Sequence, residues 1–310
     1  MVYCSRRGTD PCLLCEDIFV RIDSGLMRIR GDWGVDRRFS AWMVLGIGTL
    51  AAGYAFFVEP RWVEWNDEDV DIPGLSPAMD GFRVFHLTDL HLYSGLSASV
   101  FRSIVNECNR QKPDLVVLTG DLVNHSAQAI PGCVAQLGEL RARCGVLAIL
   151  GGHDYESFSA ARLISGLESV GIRVLHNRAV PVGSDESPLW VAGIDDNTSQ
   201  GHPDLDAALA PIPEHAPRIL LMHSPDGILQ AARHGVPLVL AGHTHGGQVC
   251  LPFLGPVRTM SRYGKQYARG RCKVGETTLY TSRGLGSHHR VRFLARPEVV
   301  RFRLRSVSST

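Results

Sequence analysis

From residue 82 onward, short apolar runs alternate with helix-like stretches, and polar residues collect where each apolar run ends. Residues 82–87 read as a strand whose end delivers Asp89 and His91. Residues 115–118 read as a second buried strand ending at Gly120-Asp121, and 145–150 as a third ending at Gly151-Gly152-His153-Asp154. Between them, residues 97–111 predict a helix with Ser97 as its N-cap. Two more helices are predicted at 131–143 and 160–170, the second closed by Gly171. Short strands follow at 173–175, 180–182 and 189–194. The second half repeats the logic: 218–222 leads into His223, a helix over 226–234 closes at Gly235, and 238–241 leads into His243 and His245. Strands at 279–281 and 299–304 finish the chain. In the last, apolar residues alternate with Arg301, Arg303 and Arg305, as in a half-buried strand with its arginines on the wet side. Repeated strand–loop–helix units with polar strand C-termini predict an α/β fold with its site along one sheet edge. The late hairpin-like strands favour a mixed sandwich over a purely parallel sheet.

The region before residue 82 has a different pattern. Residues 41–58 carry no charge, at the lower end of the length that spans a bilayer as a helix. Arg28, Arg30, Arg37 and Arg38 precede them; Glu59 and an acidic run follow. The positive-inside rule then places the N-terminus in the cytoplasm and the main domain outside the inner membrane. Arg37-Arg38-Phe39 also resembles a twin-arginine export signal, so 41–58 reads as an anchor or an export signal. Residues 1–40 form a basic N-terminal segment. Within it Met27 opens a short basic run of its own, so 1–26 reads as a start-site artefact, which the intact mass of the native protein would test. Residues 59–80, broken by Pro60, Pro73, Gly74 and Pro77, read as a polar linker. The domain proper is 81–306.

Composition narrows the classes. The net charge of +1 excludes a global polycation for nucleic acid. Charge is nevertheless segregated: 59–80 hold seven acidic residues and one Arg, whereas 258–305 hold thirteen Lys/Arg and two Glu. The basic tail reads either as solvated strand faces or as a positive rim for an anionic substrate or lipid surface. Of eight cysteines, Cys12 and Cys15 form a lone CxxC, and the rest show no disulfide framework.

The polar residues at the strand ends suggest metal chemistry. Asp89 and His91 lie two apart, so both can face one ion from a turning strand end. Asp121 follows 32 residues later, and a carboxylate with two oxygens can bridge two cations. His243 and His245 are again two apart. Mixed carboxylate and imidazole donors suit Mn, Fe or Zn, and two such ions suit phosphoester hydrolysis. A lone buried histidine is usually a core residue; the ordered set outweighs that reading. Asp195 and Asp196 end a strand near these residues but are not counted as ligands. Arg283, His288 and His289 read equally well as substrate contacts or as surface residues.

In this order and spacing, the runs DxH, GD, GxHD, H and GHTH resemble the calcineurin-like metallophosphoesterase superfamily over about residues 82–305. Gly242 to Gln248 (GHTHGGQ) and Tyr280 to Gly286 (YTSRGLG) resemble its bacterial YaeI/YkuE-like branch, which is membrane-associated or exported. The resemblance implies a four-layer αββα sandwich with two mixed β-sheets and two divalent metal ions, Mn, Zn or Fe. It implies that Asp89, His91 and His245 hold the first ion, that Asp121 bridges, and that His223 and His243 hold the second. His153 would be the general acid and Asp154 would orient it. The implied activity is phosphodiester or phosphomonoester hydrolysis by metal-activated hydroxide. One position departs from the pattern: the family's usual Asn ligand is replaced by Gly152. A water, or Asn124 or His125, would have to stand in. Two other functions are carried. One is the UDP-2,3-diacylglucosamine pyrophosphatase of lipid A synthesis, a lipid-linked substrate that suits the apolar N-terminus but lies on the cytoplasmic side. The other is a non-catalytic metal-binding module, against which the intact His153-Asp154 pair argues.

Overall fold

The computed structural model describes residues 17–22, 25–30, 37–93, 95–124, 127–156, 160–183, 186–287 and 289–307, with side chains from residue 40 onward. Cys12, Cys15, His125 and His288 lie outside the described residues. The chain divides into two compact units, Met1–Ala52 and Gly53–Thr310.

In the first unit, strands Asp17–Ile22 and Gly25–Arg30 form an antiparallel hairpin, with Met27 opposite Val20. The helix Arg37–Gly53 begins there. Ser40–Arg61 is the one helical run among the described residues that is long and apolar enough to cross a membrane. Trp42, Ile47 and Leu50 on it are exposed. An uncharged run with exposed apolar side chains over 41–50 is what a membrane helix requires.

The second unit holds two six-stranded mixed sheets. The first runs, in spatial order, Glu64–Pro73, Glu298–Val307, Phe82–Leu87, Leu115–Thr119, Val146–Ile149 and Ile172–Val174. The second runs Gly270–Val274, Thr277–Thr281, Leu238–Ala241, Arg218–Leu221, Leu189–Gly193 and Arg178–Val182. The middle strands of both sheets are parallel. Their apolar runs are continuous because both faces are buried. Val84, Val117, Leu147 and Ile149 point to the other sheet and meet Ile219, Leu221, Leu238 and Leu240 there. Phe85, Leu87, Val116 and Leu118, one residue out of phase, pack beneath helices Ala98–Gln111, Ile130–Leu137 and Ala160–Ser169. On the far side, Leu220, Val239 and Ala241 pack with Leu205, Ala208, Ile228 and Ala231 of helices Leu205–Leu209 and Ile228–Arg233. The result is the four-layer αββα sandwich.

Most predicted elements lie within one or two residues of their predicted bounds, and Ser97 caps its helix by accepting from the Val100 N–H. Three expectations change. Residues 59–80 are not simply a linker, because Glu64–Pro73 is a ten-residue edge strand running parallel to Glu298–Val307. The segregated charges explain it. Register places Arg301 opposite Asp67 and Arg303 opposite Asp69, with ion pairs at 2.7 and 3.8 Å; Arg305 reaches Asp69 at 3.4 Å and Asp80 at 3.5 Å. The acidic run and these three arginines therefore neutralise each other across the sheet edge. The helix expected over 131–143 ends at Leu137, where Gly138 caps it and the chain turns back toward Pro113. The helix expected over 226–234 splits into a 3-10 turn, Pro225–Gly227, and Ile228–Arg233.

Candidate metal centre

Five parallel strands end on one edge of the sandwich, and each delivers one or two of the predicted residues. Asp89 and His91 follow Phe82–Leu87, and Asp121 follows Leu115–Thr119. His153 and Asp154 sit on the short helix Gly152–Glu156 after Val146–Ile149. His223 follows Arg218–Leu221, and His243 and His245 follow Leu238–Ala241. Five of these side chains stand on left-handed backbone: Asp89 (φ 50°), His91 (41°), Asp121 (52°), His243 (70°) and His245 (51°). Such a conformation costs a non-glycine residue about 1–3 kcal/mol and persists only where surrounding bonds enforce it. Here they do: Asp89 N–H donates to Gly120 O at 3.0 Å and His91 N–H to Asp121 O at 3.0 Å, while Gly286 N–H donates to Asp89 O at 2.6 Å. Gly242 is required at the next turn. A Cβ there would stand 2.2 Å from Thr88 Oγ1 and 2.3 Å from Asp89 Oδ2. Without it, the His243 N–H donates to Asp89 Oδ2 at 3.0 Å.

The side chains converge in three overlapping sets. Asp89, His91 and His245 form one, His91, Asp121 and His153 a second, and Asp89, Asp121 and His223 a third; within each, the donor atoms lie within 4.8 Å of one another. His223 Nε2 is 3.3 Å and His91 Nε2 3.6 Å from Asp121 Oδ2, and His245 Nε2 is 3.7 Å from Asp89 Oδ1. His223 Nδ1 lies 2.7 Å from Thr119 O; a carbonyl can only accept, so Nδ1 carries the proton and Nε2 is turned toward Asp121. His243 lies beside His223, ring centroids 5.1 Å apart, but belongs to none of the three sets; its Nε2 is 3.2 Å from Met260 O.

Electrostatics fit a cation site. Burial raises the Asp89 carboxyl to about 6, with His223 pulling it down and Asp121 pushing it up. Burial works against ionised Asp121 too, but His223, His91 and His153 outweigh it and hold that carboxyl well below the usual carboxylate range. His223 is opposed by burial and held up to about 10 by Asp121 and Asp89. Burial and His91 push His245 well below the usual imidazole range. Its buried Nδ1 makes no hydrogen bond to any described residue. Buried carboxylates and imidazoles at this density need countercharge, and this donor set suits Mn, Fe or Zn.

The neighbouring residues refine the expectations. Asp154 is fully buried, its carboxyl raised to about 7 by burial and by Asp121. It accepts from Leu122 N–H at 2.9 Å, Val123 N–H at 3.0 Å and Gly151 N–H at 3.0 Å, so it ties the turn carrying His153 to the Asp121 loop. The carboxylate at the His153 ring is that of Glu156, 2.9 Å from Nδ1. Sequence reading missed it, because the i+3 pairing depends on the short helix Gly152–Glu156, which the sequence pattern does not announce. Gly152 faces the loop after strand Leu189–Gly193: a Cβ there would stand 2.6 Å from Thr198 Oγ1 and 3.0 Å from Ser199 Oγ. The place of the absent Asn side chain is thus closed by Thr198 and Ser199, not by Asn124, which is buried and does not line the cleft. Asp196 builds that loop by accepting from Thr198 N–H at 3.0 Å, Thr198 Oγ1–H at 2.6 Å and Ser199 N–H at 3.0 Å. Asp195 accepts from the Tyr155 hydroxyl and from His202 N–H at 2.8 Å. Arg283, expected at the substrate phosphate, is instead held by Glu64 at 2.6 Å and Glu298 at 2.7 Å. The open face is a cleft of ≈ 360 Å³ lined by Asp121, His153, Glu156, Thr198, His223 and Met260, among others.

Residues 82–247 match the calcineurin-like phosphoesterase family. The chain is 34% identical over 272 residues to the uncharacterized metallophosphoesterase YkuE of Bacillus subtilis (strain 168), covering 85% of this chain and 94% of that one. It is 30% identical over 279 residues to the phosphodiesterase YaeI of Escherichia coli (strain K12), covering 86% and 98%. A transmembrane protein with metallophosphoesterase domain from Bos taurus is 31% identical over 231 residues, covering 70% of this chain and 51% of that protein.

Proposed function

Since the chain belongs to the calcineurin-like phosphoesterase family and is a phosphoester hydrolase, we propose that it is a membrane-associated phosphodiesterase or phosphomonoesterase whose centre is the Asp89–Asp121 cluster. The observation that carries this is the convergence of three donor sets sharing Asp89, His91 and Asp121 at the open edge of the sandwich. The family uses divalent metals. In this reading Asp89, His91 and His245 would hold one ion, Asp121, His223 and His243 the other, with Asp121 between them. Bound ions supply Lewis acidity at the phosphoryl oxygens and acidify water at neutral pH.

The rest falls to the chain's own groups. His153 delivers a proton to the departing oxygen. A Glu156 carboxylate oxygen lies 2.9 Å from its Nδ1. Asp154 positions His153 through the backbone of the Gly151 turn. Thr119 fixes the His223 tautomer. The Thr198–Ser199 turn closes the wall opposite His153, where Gly152 leaves it room. The apolar run Ser40–Arg61 and the transmembrane relative support membrane association.

The test is hydrolysis of bis(p-nitrophenyl) phosphate and p-nitrophenyl phosphate by the full chain in detergent, with Mn²⁺, Zn²⁺ or EDTA, beside Asp121→Ala. Turnover that EDTA and the substitution both abolish is expected, and the two rates rank diester against monoester. Turnover that survives either treatment contradicts the assignment.

A further inference from the structure

The hairpin that follows the His243–His245 turn has an unusual surface. Cys250–Leu251 pairs with Gly255–Pro256, and residues 252–254 form the tip. Phe253 at that tip is 108% exposed, Leu254 66% and Val257 63%; Leu251 and Met260 are exposed as well. Phe253 stands on left-handed backbone (φ 63°), and Lys265 Nζ braces the tip by donating to Leu254 O at 2.6 Å. The tip is therefore built, and it presents large apolar side chains away from the domain. An exposed apolar patch with a polar rim marks an interaction surface.

Three observations say what covers it. The first is charge: from Val249 to Gly275 the sequence has no carboxylate, and Arg258, Arg262, Lys265 and Arg269 are exposed around the apolar tip. Among the described residues, Arg262 is the one of these four that leans on a carboxylate, Asp226 at 3.6 Å. A cationic rim around apolar side chains complements an anionic lipid surface. The second is continuity. The hairpin base is tied to residues 292–295, with Cys250 N–H donating to Phe293 O at 2.8 Å and Phe293 N–H to Gln248 O at 3.0 Å. That segment is tied in turn to the last turns of the apolar helix: Arg292 N–H donates to Ala55 O at 3.0 Å, the Tyr54 and Phe293 rings meet edge-on at 6.3 Å, and Glu59 accepts from Ala295 N–H at 2.6 Å. Phe56, Phe57, Trp62 and Leu294 are exposed on these elements. The third is position, since Met260 belongs both to the exposed apolar set and to the lining of the cleft.

We propose that the hairpin around Phe253 is a second, interfacial membrane contact, which lays the rim of the cleft on an anionic bilayer. The inference rests on the membrane reading above and deepens it: the substrate it favours is a phosphoester at headgroup depth, entering past Met260. The apolar tip sits among the acyl chains, and the four cations sit among the lipid phosphates.

The test uses the full chain reconstituted in phosphatidylethanolamine–phosphatidylglycerol vesicles with or without brominated acyl chains. Phe253→Trp adds a fluorophore at the tip. Val170→Trp adds one at the end of helix Ala160–Ser169, which runs back from the site edge to the opposite edge. The expected result is that bromolipid quenches the emission added by Phe253→Trp and spares that added by Val170→Trp. A chain that floats with the vesicles but shows no added quenching in Phe253→Trp overturns the hairpin contact and leaves the membrane reading standing. A chain that does not float with them overturns both. Hydrolysis of soluble bis(p-nitrophenyl) phosphate by Phe253→Trp should match the parent, which shows that the cleft is intact.

Discussion

At the scale of single residues, the histidines divide by what surrounds them. His86 is fully buried, Nε2 2.7 Å from the Thr119 hydroxyl, and burial lowers its pKa to about 3. It stays neutral in the folded chain at pH values where the unfolded chain takes up a proton. Its stability contribution is thus complete above the unfolded value near 6.5 and is lost progressively as pH falls toward 3. The slope approaches about 1.4 kcal/mol per pH unit. His86→Gln keeps a partner for Thr119 and removes the titration. Denaturant unfolding of the parent should weaken more steeply than that of the variant between pH 6.5 and 5; equal slopes would show that His86 does not carry the effect. Glu156 acts instead on His153. Glu156→Gln should slow an alkyl phosphoester, whose leaving oxygen needs a proton, by roughly tenfold, less than the full general-acid effect of about a hundredfold or more because His153 itself remains. It should hardly touch a nitrophenyl ester, whose anion leaves unaided. Equal losses on both substrates would reduce Glu156 to a structural role. Asp89, His91, His243 and His245 stood out in the sequence as candidates because paired Asp and His two apart at strand ends have few other uses. Glu156 and the Thr198–Gly152 contact did not, because one needs the helix phase and the other joins residues 46 apart.

At the scale of elements, buried parallel strands declared themselves as apolar runs, whereas the edge strands Glu64–Pro73 and Gly270–Val274 did not. Glu64–Pro73 reads as linker because its exposed face carries acids and its end carries breakers; only its pairing with Glu298–Val307 makes those acids useful. The same strand pair explains Arg283. Its guanidinium reaches Glu64 at the start of one strand and Glu298 at the start of the other, and Glu298 is 1% exposed. Sequence could not separate a phosphate-binding arginine from one that joins two strand starts. The consequences differ. Removing one partner of a buried pair leaves the other unpaired, at a cost of about 3–5 kcal/mol. Arg283→Ala should therefore lower the unfolding midpoint clearly, while KM for bis(p-nitrophenyl) phosphate, measured well below that midpoint, stays at the parent value. A raised KM with unchanged stability would return Arg283 to the substrate. By contrast, the exposed Asp67–Arg301 and Asp69–Arg303 pairs are each worth about 0–1 kcal/mol, so their ladder sets register more than stability.

At the scale of the whole molecule, the alternation of apolar runs and helices was enough to foresee a mixed α/β sandwich with a site along one edge, and the family resemblance supplied its four layers. Side orientation across a membrane is a different kind of property, fixed by the charges flanking the apolar run. Before the run stand Arg28, Arg30, Arg37 and Arg38; after it stands Arg61 among Glu59, Glu64, Asp67, Glu68, Asp69 and Asp71. Only the cations count strongly toward orientation, and the count still favours an N-terminus on the cytoplasmic side. The strand that follows the helix pairs its acids with the arginines of Glu298–Val307, so that strand itself adds no positive charge to the flank. An alkaline phosphatase reporter fused after Thr310, active only outside the cytoplasm, should be active. Arg28, Arg30, Arg37 and Arg38 changed together to Gln should reduce the phosphatase signal, because the orienting charge is then gone. A phosphatase reporter silent in the parent chain would place the cleft in the cytoplasm, and with it the phosphoesters within reach: those of the inner leaflet rather than those exposed on the outer one.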